Sequence, residues 1–150
     1  MCKNWRKVAY ATTKFIDLDY LKKIIKNHKL QLDENNIKIG YIDSITVDIN
    51  YSGHGIGTLL LKETISRLKE SNTTFSIMAG WKNKDQVNIR NLATKEGFKE
   101  EFTIENFWKD DSIEFNFDCT ACGSPPCLCS AIIYTKFWIS IKSNLHIKMF

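Results

Sequence analysis

The chain lacks any apolar run long enough to cross a bilayer, and Met1 to Lys7 do not lead into the apolar core of a signal peptide. A cytoplasmic protein with no membrane partner is therefore expected. One-sided charge is missing too. The 21 basic and 17 acidic residues leave a net charge of +4, and no basic run is interleaved with aromatics. That gives no argument for a nucleic-acid partner, while a modest positive balance suits a small anionic ligand. Proline is almost absent, since Pro125 and Pro126 are the only two and stand together. Without repeats or a linker, residues 1–150 are expected to form one domain, long enough for a hydrophobic core. Two familiar phosphate loops are missing as well. No Gly-Lys-Ser/Thr follows the glycines, which excludes a Walker loop, and Gly-x-Gly-x-x-Gly spacing is not met.

What is present centres on Ile45 to Leu61. Ile37, Ile39, Tyr41, Ile45, Val47 and Ile49 share one parity, the pattern of a strand with a buried face. Leu61, Ile65 and Leu68 then fall at helical spacing among Lys62, Glu63, Arg67 and Lys69. Between strand and helix stand Gly53, Gly55 and Gly57, which allow a sharp turn and close approach to a ligand. A helix beginning there offers free N–H groups and the positive end of its dipole, a seat for phosphate. Ser52-Gly53-His54-Gly55-Ile56-Gly57, with Ile45 and Val47 before it, resembles the pyrophosphate loop of the GNAT superfamily of N-acetyltransferases. Ser52 replaces the usual Arg or Gln of that loop.

The other elements are read from local pattern. Lys7 to Phe15 predicts a strand, and Asp17 a cap for a short helix through Leu18, Leu21, Ile24 and Ile25. Phe75, Ile77, Ala79 and Trp81 alternate as in a half-buried strand. Lys82 to Asp85 reads as a turn, with Asp85 capping a helix over Gln86 to Glu96 that Gly97 ends. Phe102, Ile104 and Asn106 suggest a strand running on to Trp108, and Ile113, Phe115 and Phe117 another. Ala131 to Ile139 is expected to be the last strand. The sum is an α/β fold: a mixed, mostly antiparallel sheet with flanking helices.

The order of elements also resembles GNAT, over roughly Lys38 to Trp108. Leu92 to Phe98 is similar to that family's second motif, with Ala93 where a tyrosine often protonates the departing CoA thiolate. Asn88 lies near the position of a family asparagine that contacts CoA. The part ahead of the glycine loop is short, so the N-terminal region of the fold is expected to be reduced. The resemblance implies acetyl-CoA as co-substrate and an amine as acceptor, joined directly in a ternary complex. It further implies that the backbone of Ile45, Thr46 and Val47 holds the acyl arm, with Val47 N–H polarising the thioester carbonyl. The loop Ser52, Gly53, His54, Gly55, Ile56, Gly57 and Thr58 would hold the phosphates, Ser52 and Thr58 adding hydroxyls and His54 its backbone.

Asp43 interrupts the apolar parity. On a buried face its pKa would rise and it would serve as a general base. The plainer alternative is a bulge that turns it to solvent. Tyr134 is the remaining phenol for proton donation, against the plainer role of a core aromatic. Four of the five cysteines form Cys119-x2-Cys122-x4-Cys127-x-Cys129 around Gly123 and the two prolines, and Cys2 stands apart. They match the ligand count of one structural zinc ion. Four reduced thiols, or a redox pair, are the alternatives. Two rivals to an acetyltransferase stand beside it: an acyl-CoA-binding protein without turnover, and a zinc-dependent interaction module on the same scaffold. The acceptor and the oligomeric state, a homodimer included, are left open by the sequence.

Overall fold

The computed structural model describes residues 6–84, 86–87 and 89–138. Cys2, Asp85, Asn88 and Ile139, all named in the sequence expectations, lie outside the described residues. The first strand, β1 (Ala9–Ile16), runs into α1 (Leu18–Ile24). Asp17 caps that helix as expected, its carboxylate accepting from Tyr20 N–H at 2.7 Å. This one strand and one short helix are the described structure ahead of β2 (Ile39–Val47), the reduced form anticipated. A 3-10 turn (Ile49–Tyr51) and the glycine loop lead into α2 (Ile56–Glu70). Then follow β3 (Phe75–Asn83), the short β4 (Gln86–Val87), α3 (Arg90–Lys95), β5 (Lys99–Ile104), α4 (Lys109–Glu114) and β6 (Ser130–Phe137). Among the described residues no helix is long and apolar enough to cross a membrane.

The sheet has the order β1-β2-β3-β6-β5, with β4 attached to β3. Only β2 and β3 pair in parallel, so the sheet is mixed and mostly antiparallel, as read from the sequence. Its two faces carry separate cores. On one, Leu21, Ile24 and Ile25 around α1 pack with Ile39, Tyr41, Phe75, Ile77 and Phe107. On the other, Leu61, Ile65 and Leu68 of α2 pack with Ile42, Met78, Phe98 and Tyr134. The central β3 is therefore buried on both faces, where a half-buried strand was expected. Apolar or small residues at both parities, Phe75 to Met78, are the reason.

β2 departs from its predicted single buried parity. Thr12 pairs with Ser44 and Thr13 with Ile42, so Asp43 is an extra residue on β2, a bulge. The insertion shifts the alternation by one. Ile39 and Tyr41 face the α1 core, whereas Ile45 packs on the α2 core. Asp43 itself is exposed and ion-paired to Lys14 at 3.1 Å, so it is not on a buried face. Ile49, 84% exposed in the 3-10 turn, is not part of the strand at all.

Three further expectations are corrected. Gln86 and Val87 pair with Asn83 and Lys82, so the helix expected from Gln86 begins only at Arg90. Its end is as read: Gly97 N–H bonds to Thr94 C=O and Phe98 N–H to Ala93 C=O, a Schellman closure at φ +80°. The strand expected to reach Trp108 stops at Ile104, because Asn106 turns the chain at φ 51°. Residues Ile113 to Phe117 form no strand. Asp110 and Asp111 sit in the first turn of α4, where the helix dipole favours acids, and its buried position is Ser112. Ile113 and Phe115 are left exposed, so their alternation recorded no buried face.

Leu61 is 0% exposed at the centre of the α2 core. Leu61→Ala should lower stability by about 2–5 kcal/mol through transfer and cavity terms. A lower urea midpoint at unchanged slope would record that loss.

Candidate functional site

β2 and β3 are paired only over Ile39–Ile42 against Phe75–Met78. β2 continues to Val47 and β3 to Asn83, so beyond the bulge the two strands part and leave a fork. On its far edge β2 stays with β1, and Asp48 N–H donates to Val8 C=O at 2.7 Å. Strand N–H groups alternate in direction, so Thr46 N–H also points to β1 while those of Ile45 and Val47 point into the fork. On the opposite branch Gly80 is a requirement of packing. A Cβ there would lie 2.7 Å from Ile89 Cγ2 and 2.8 Å from Tyr134 Cε2.

At the mouth of the fork the chain turns into α2. Asp48 accepts from Asn50 N–H at 2.9 Å and fixes the 3-10 turn. Gly53 (φ +80°) and Gly55 (φ +79°) occupy the left-handed region that favours glycine. Gly55 is the N-cap of α2, and the first bond of the helix is Leu59 N–H to Gly55 C=O at 3.1 Å. Ile56, Gly57 and Thr58 thus have N–H groups without intrahelical acceptors, and glycine brings no side chain to cap them. These donors open on a cavity of about 610 Å³, lined by Val47, Ser52 and the loop glycines on one side and by α3 on the other.

Six residues of this cavity were not among the site residues expected from the sequence: Tyr51, Lys62, Asn91, Leu92, Lys95 and Glu96. Lys62 had been visible only as a polar helix position, and its partner Glu96 stands 3.8 Å away. Lys95 lies inside the stretch Leu92 to Phe98, and Asn91 stands just ahead of it, one helical turn from Lys95. Asn88, the asparagine expected to contact the cofactor, lies outside the described residues. His54 does not line the cavity. Its Nδ1 sits 2.9 Å from Ser52 O and 3.2 Å from Tyr51 O, so the ring ties the loop to itself. Ala93 is buried at 0% exposure in the α2 core.

On the α1 side of the sheet, just ahead of the fork, lies Tyr41, 8% exposed. Burial, with Asp43 next, pushes its phenol above the ordinary range. In the sequence Tyr41 is one more residue of the apolar parity. Tyr134 is a core residue. Burial and Glu100 push its phenol up, and its hydroxyl donates to Glu100 Oε2 at 3.4 Å, outside the cavity.

The cysteines converge. The Sγ atoms of Cys119, Cys122, Cys127 and Cys129 all lie within 4.8 Å of one another. Cys119 stands 3.7 Å and Cys122 3.5 Å from Cys129. Burial pushes the Cys119 thiol up, but the amides of Ala121 and Cys122 and the adjacent thiols outweigh it and hold it at about 7. Burial raises Cys129 instead. The group ends where β6 begins, and Ser130 pairs with Lys82, at the open end of the fork.

No protein-family model matches the chain, and no curated protein matches it in sequence. Solved structures do match in shape. The crystal structure of the NatC complex bound to Gag peptide and CoA superimposes with a TM-score of 0.58 over 87% of this chain, at 14% identity. Arabidopsis thaliana NAA60 in complex with a bisubstrate analogue gives 0.58 at 12% identity, again over 87%. A ribosomal-protein-alanine N-acetyltransferase from Brucella melitensis gives 0.52 at 17% identity over the same share. The chain spans 61%, 65% and 62% of their respective lengths, under two thirds in each case. The fold is that of GNAT N-acetyltransferases.

The two loop glycines should respond oppositely to substitution. Gly55→Ala forces a Cβ into the left-handed region and should cost about 1–2 kcal/mol. At Gly57, φ is not positive and a Cβ meets only Val47 Cγ2 at 3.8 Å. Gly57→Ala should be neutral, or stabilising by up to about 1 kcal/mol through helix propensity. Paired thermal melts of the two variants check the difference in sign.

Proposed function

We propose that this chain transfers an acetyl group from acetyl-CoA to an amine, by direct attack within a ternary complex. One observation carries the reading: the fork between β2 and β3 opens beside the uncapped N-terminus of α2. A phosphate-bearing ligand seated on that helix start can send an extended arm along the free strand edges. The loop from Ser52 to Thr58 takes the pyrophosphate through backbone N–H groups, with Lys62 and Lys95 adding positive charge. Ile45 and Val47 offer N–H groups to the arm, and Thr46 belongs to the same segment. CoA is present in the NatC crystal structure of the same fold, which supports this choice of ligand.

The chemistry then asks little of side chains. The neutral amine nitrogen attacks the thioester carbon, and Val47 N–H stabilises the oxyanion that forms. The C–S bond breaks, the amide remains, and the proton shed by nitrogen balances the thiolate that leaves as CoA thiol. Asp43 is the candidate base of the acceptor side. Its exposure and its bond to Lys14 fit the bulge reading better. Cys119, Cys122, Cys127 and Cys129 have no part in bond making. Binding without turnover is the competing reading, and Ala93, buried where the resemblance places a phenol, favours it. Thiol release from acetyl-CoA in the presence of an amine panel, including peptides with free N-termini, decides between them.

Gly57→Asp tests the seat without spoiling the fold, since an acid is favourable in a first helical turn. The carboxylate would project into the phosphate space and repel it. Losing even one charge-assisted phosphate bond costs about 1.5–3 kcal/mol, or roughly ten- to a hundredfold in affinity. Calorimetric titration with CoA should show at least that loss, and undiminished binding by the folded variant would sink the assignment. Asp43→Asn is the second test. As a base, Asp43 would give the rate an acidic limb that the variant flattens at unchanged CoA affinity. As a bulge residue, its replacement should leave the pH profile alone and cost under about 1 kcal/mol of stability.

A further inference from the structure

The cysteine cluster is the feature that acyl transfer leaves unexplained. We propose that Cys119, Cys122, Cys127 and Cys129 bind one zinc ion as a closed tetrathiolate, and that the ion clasps the connection between β5 and β6 onto the sheet. The placement of this clasp beside the acceptor rests on the acyl-transfer reading, whereas the metal site stands independently of it.

Geometry is the first argument. A tetrahedral zinc ion with Zn–S bonds of about 2.3 Å requires sulfurs about 3.8 Å apart. Here two of the separations are 3.5 and 3.7 Å, and no pair exceeds 4.8 Å. Disulfides would draw the sulfurs into two pairs at about 2.05 Å, and four mutually close sulfurs are not that pattern. The backbone is shaped around the cluster as well. Cys119 and Gly123 exchange N–H···O=C bonds of 2.8 Å in both directions, closing a tight turn that presents Cys119 and Cys122 together. Leu128 N–H points at Cys122 Sγ from 3.4 Å, a donor toward sulfur of the sort that supports a thiolate. Four soft thiolates with no carboxylate or imidazole among them select zinc over hard cations such as magnesium or calcium. Four protein ligands leave no open position, so the ion is structural.

The second argument is what the connection lacks. Residues 105–129 contain one short helix, α4, and expose Ile113, Phe115 and Leu128. Little apolar burial is available to order so long a connection. Two of its internal ties run to the cysteines themselves. Phe107 N–H bonds to Cys129 C=O at 3.0 Å, and Cys127 N–H to the buried Ser112 Oγ at 2.8 Å. Ser112 in turn donates to Lys109 C=O at 2.7 Å. A metal ion that fixes Cys127 and Cys129 therefore holds α4 at Phe107, just ahead of it, and at Ser112 within it. Phe107 belongs to the α1-side core, which also holds Tyr41. The clasp thus secures the face opposite α2, where an acceptor would approach, and not the loop that seats phosphate.

The full chain purified without a histidine tag should contain about one zinc per chain by elemental analysis. Exchange for Co(II) should give the intense sulfur-to-cobalt charge-transfer band of a tetrahedral tetrathiolate. Cys119→Ser with Cys122→Ser should lose the metal and melt several degrees lower. If that variant fails to fold, titration of the wild-type chain with a thiol-modifying reagent serves instead, one zinc being released as the four thiols beyond Cys2 react. CoA affinity of the zinc-free protein should stay within about threefold of the loaded form. Metal-free folded protein whose four cluster thiols react as freely as Cys2 overturns the site, and stoichiometric iron overturns its identity. An unchanged melting temperature after zinc removal, or lost CoA binding, overturns the clasp. None of these readings needs turnover, so a failed transfer assay leaves them standing.

Discussion

β2 carries one residue more than β1 can pair, and that excess at Asp43 shapes the rest of the sheet. Before it, Ile39 and Tyr41 look toward α1. After it, Ile45 and Val47 look toward α2, one against its core and the other close to Gly57. A strand that changes faces in this way cannot stay in register with a straight parallel neighbour, and pairing with β3 ends at Ile42 and Met78. The N–H and C=O groups freed beyond that point need partners. An unsatisfied buried group costs about 1–3 kcal/mol, so the fork is stable only where water or a polar chain enters it. A ligand with amides spaced along an extended arm answers that need in the way another strand would.

The same economy governs the start of α2. Ser, Thr, Asp or Asn at the N-cap would satisfy a free N–H from within, and an acid there would place negative charge where the proposed ligand brings its phosphates. Gly55 does neither. Its left-handed backbone delivers the chain to the helix start with the first N–H groups still open. Lys62 lies nearly two turns into α2 and Lys95 at the end of α3, so both cations belong to rigid elements around the cavity. Glu96 tempers Lys62 at 3.8 Å, which leaves the backbone donors as the principal attraction.

The parts of this arrangement that the sequence disclosed are those where local pattern and tertiary structure agree. Gly53, Gly55 and Gly57 between an apolar strand and an amphipathic helix marked the turn into α2, because turn, dipole and helix face are all local properties. Asp17 and Gly97 marked helix ends for the same reason. Asp43 was ambiguous, since parity alone does not say whether an odd residue is buried or bulged. The mistaken strand at Ile113 to Phe117 has a related cause. Period-two alternation reports a strand only if one parity is buried, and here Ser112 is the buried residue. Gln86 and Val87 were drawn into a helix because their pairing partners on β3 are set by the turn and not by propensity. Lys62, Asn91 and Lys95 were hidden because a cavity between two helices is a non-local object.

The cysteine segment and the short N-terminal part share a physical logic. A sheet face needs cover, and ahead of β2 the described chain supplies only α1 to that side. Cover from the other end comes through residues 105–129, whose apolar side chains are in good part exposed. Burial alone would hold such a segment weakly, because ordering each residue costs about 1–2 kcal/mol of backbone entropy. Cross-linking four points of it through one centre removes that freedom at once. The hydrogen bonds from Cys127 to Ser112 and from Phe107 to Cys129 then carry the constraint into α4 and the α1-side core. In the proposed clasp, convergence of four sulfurs at the open end of the fork would hold that segment in place of apolar burial.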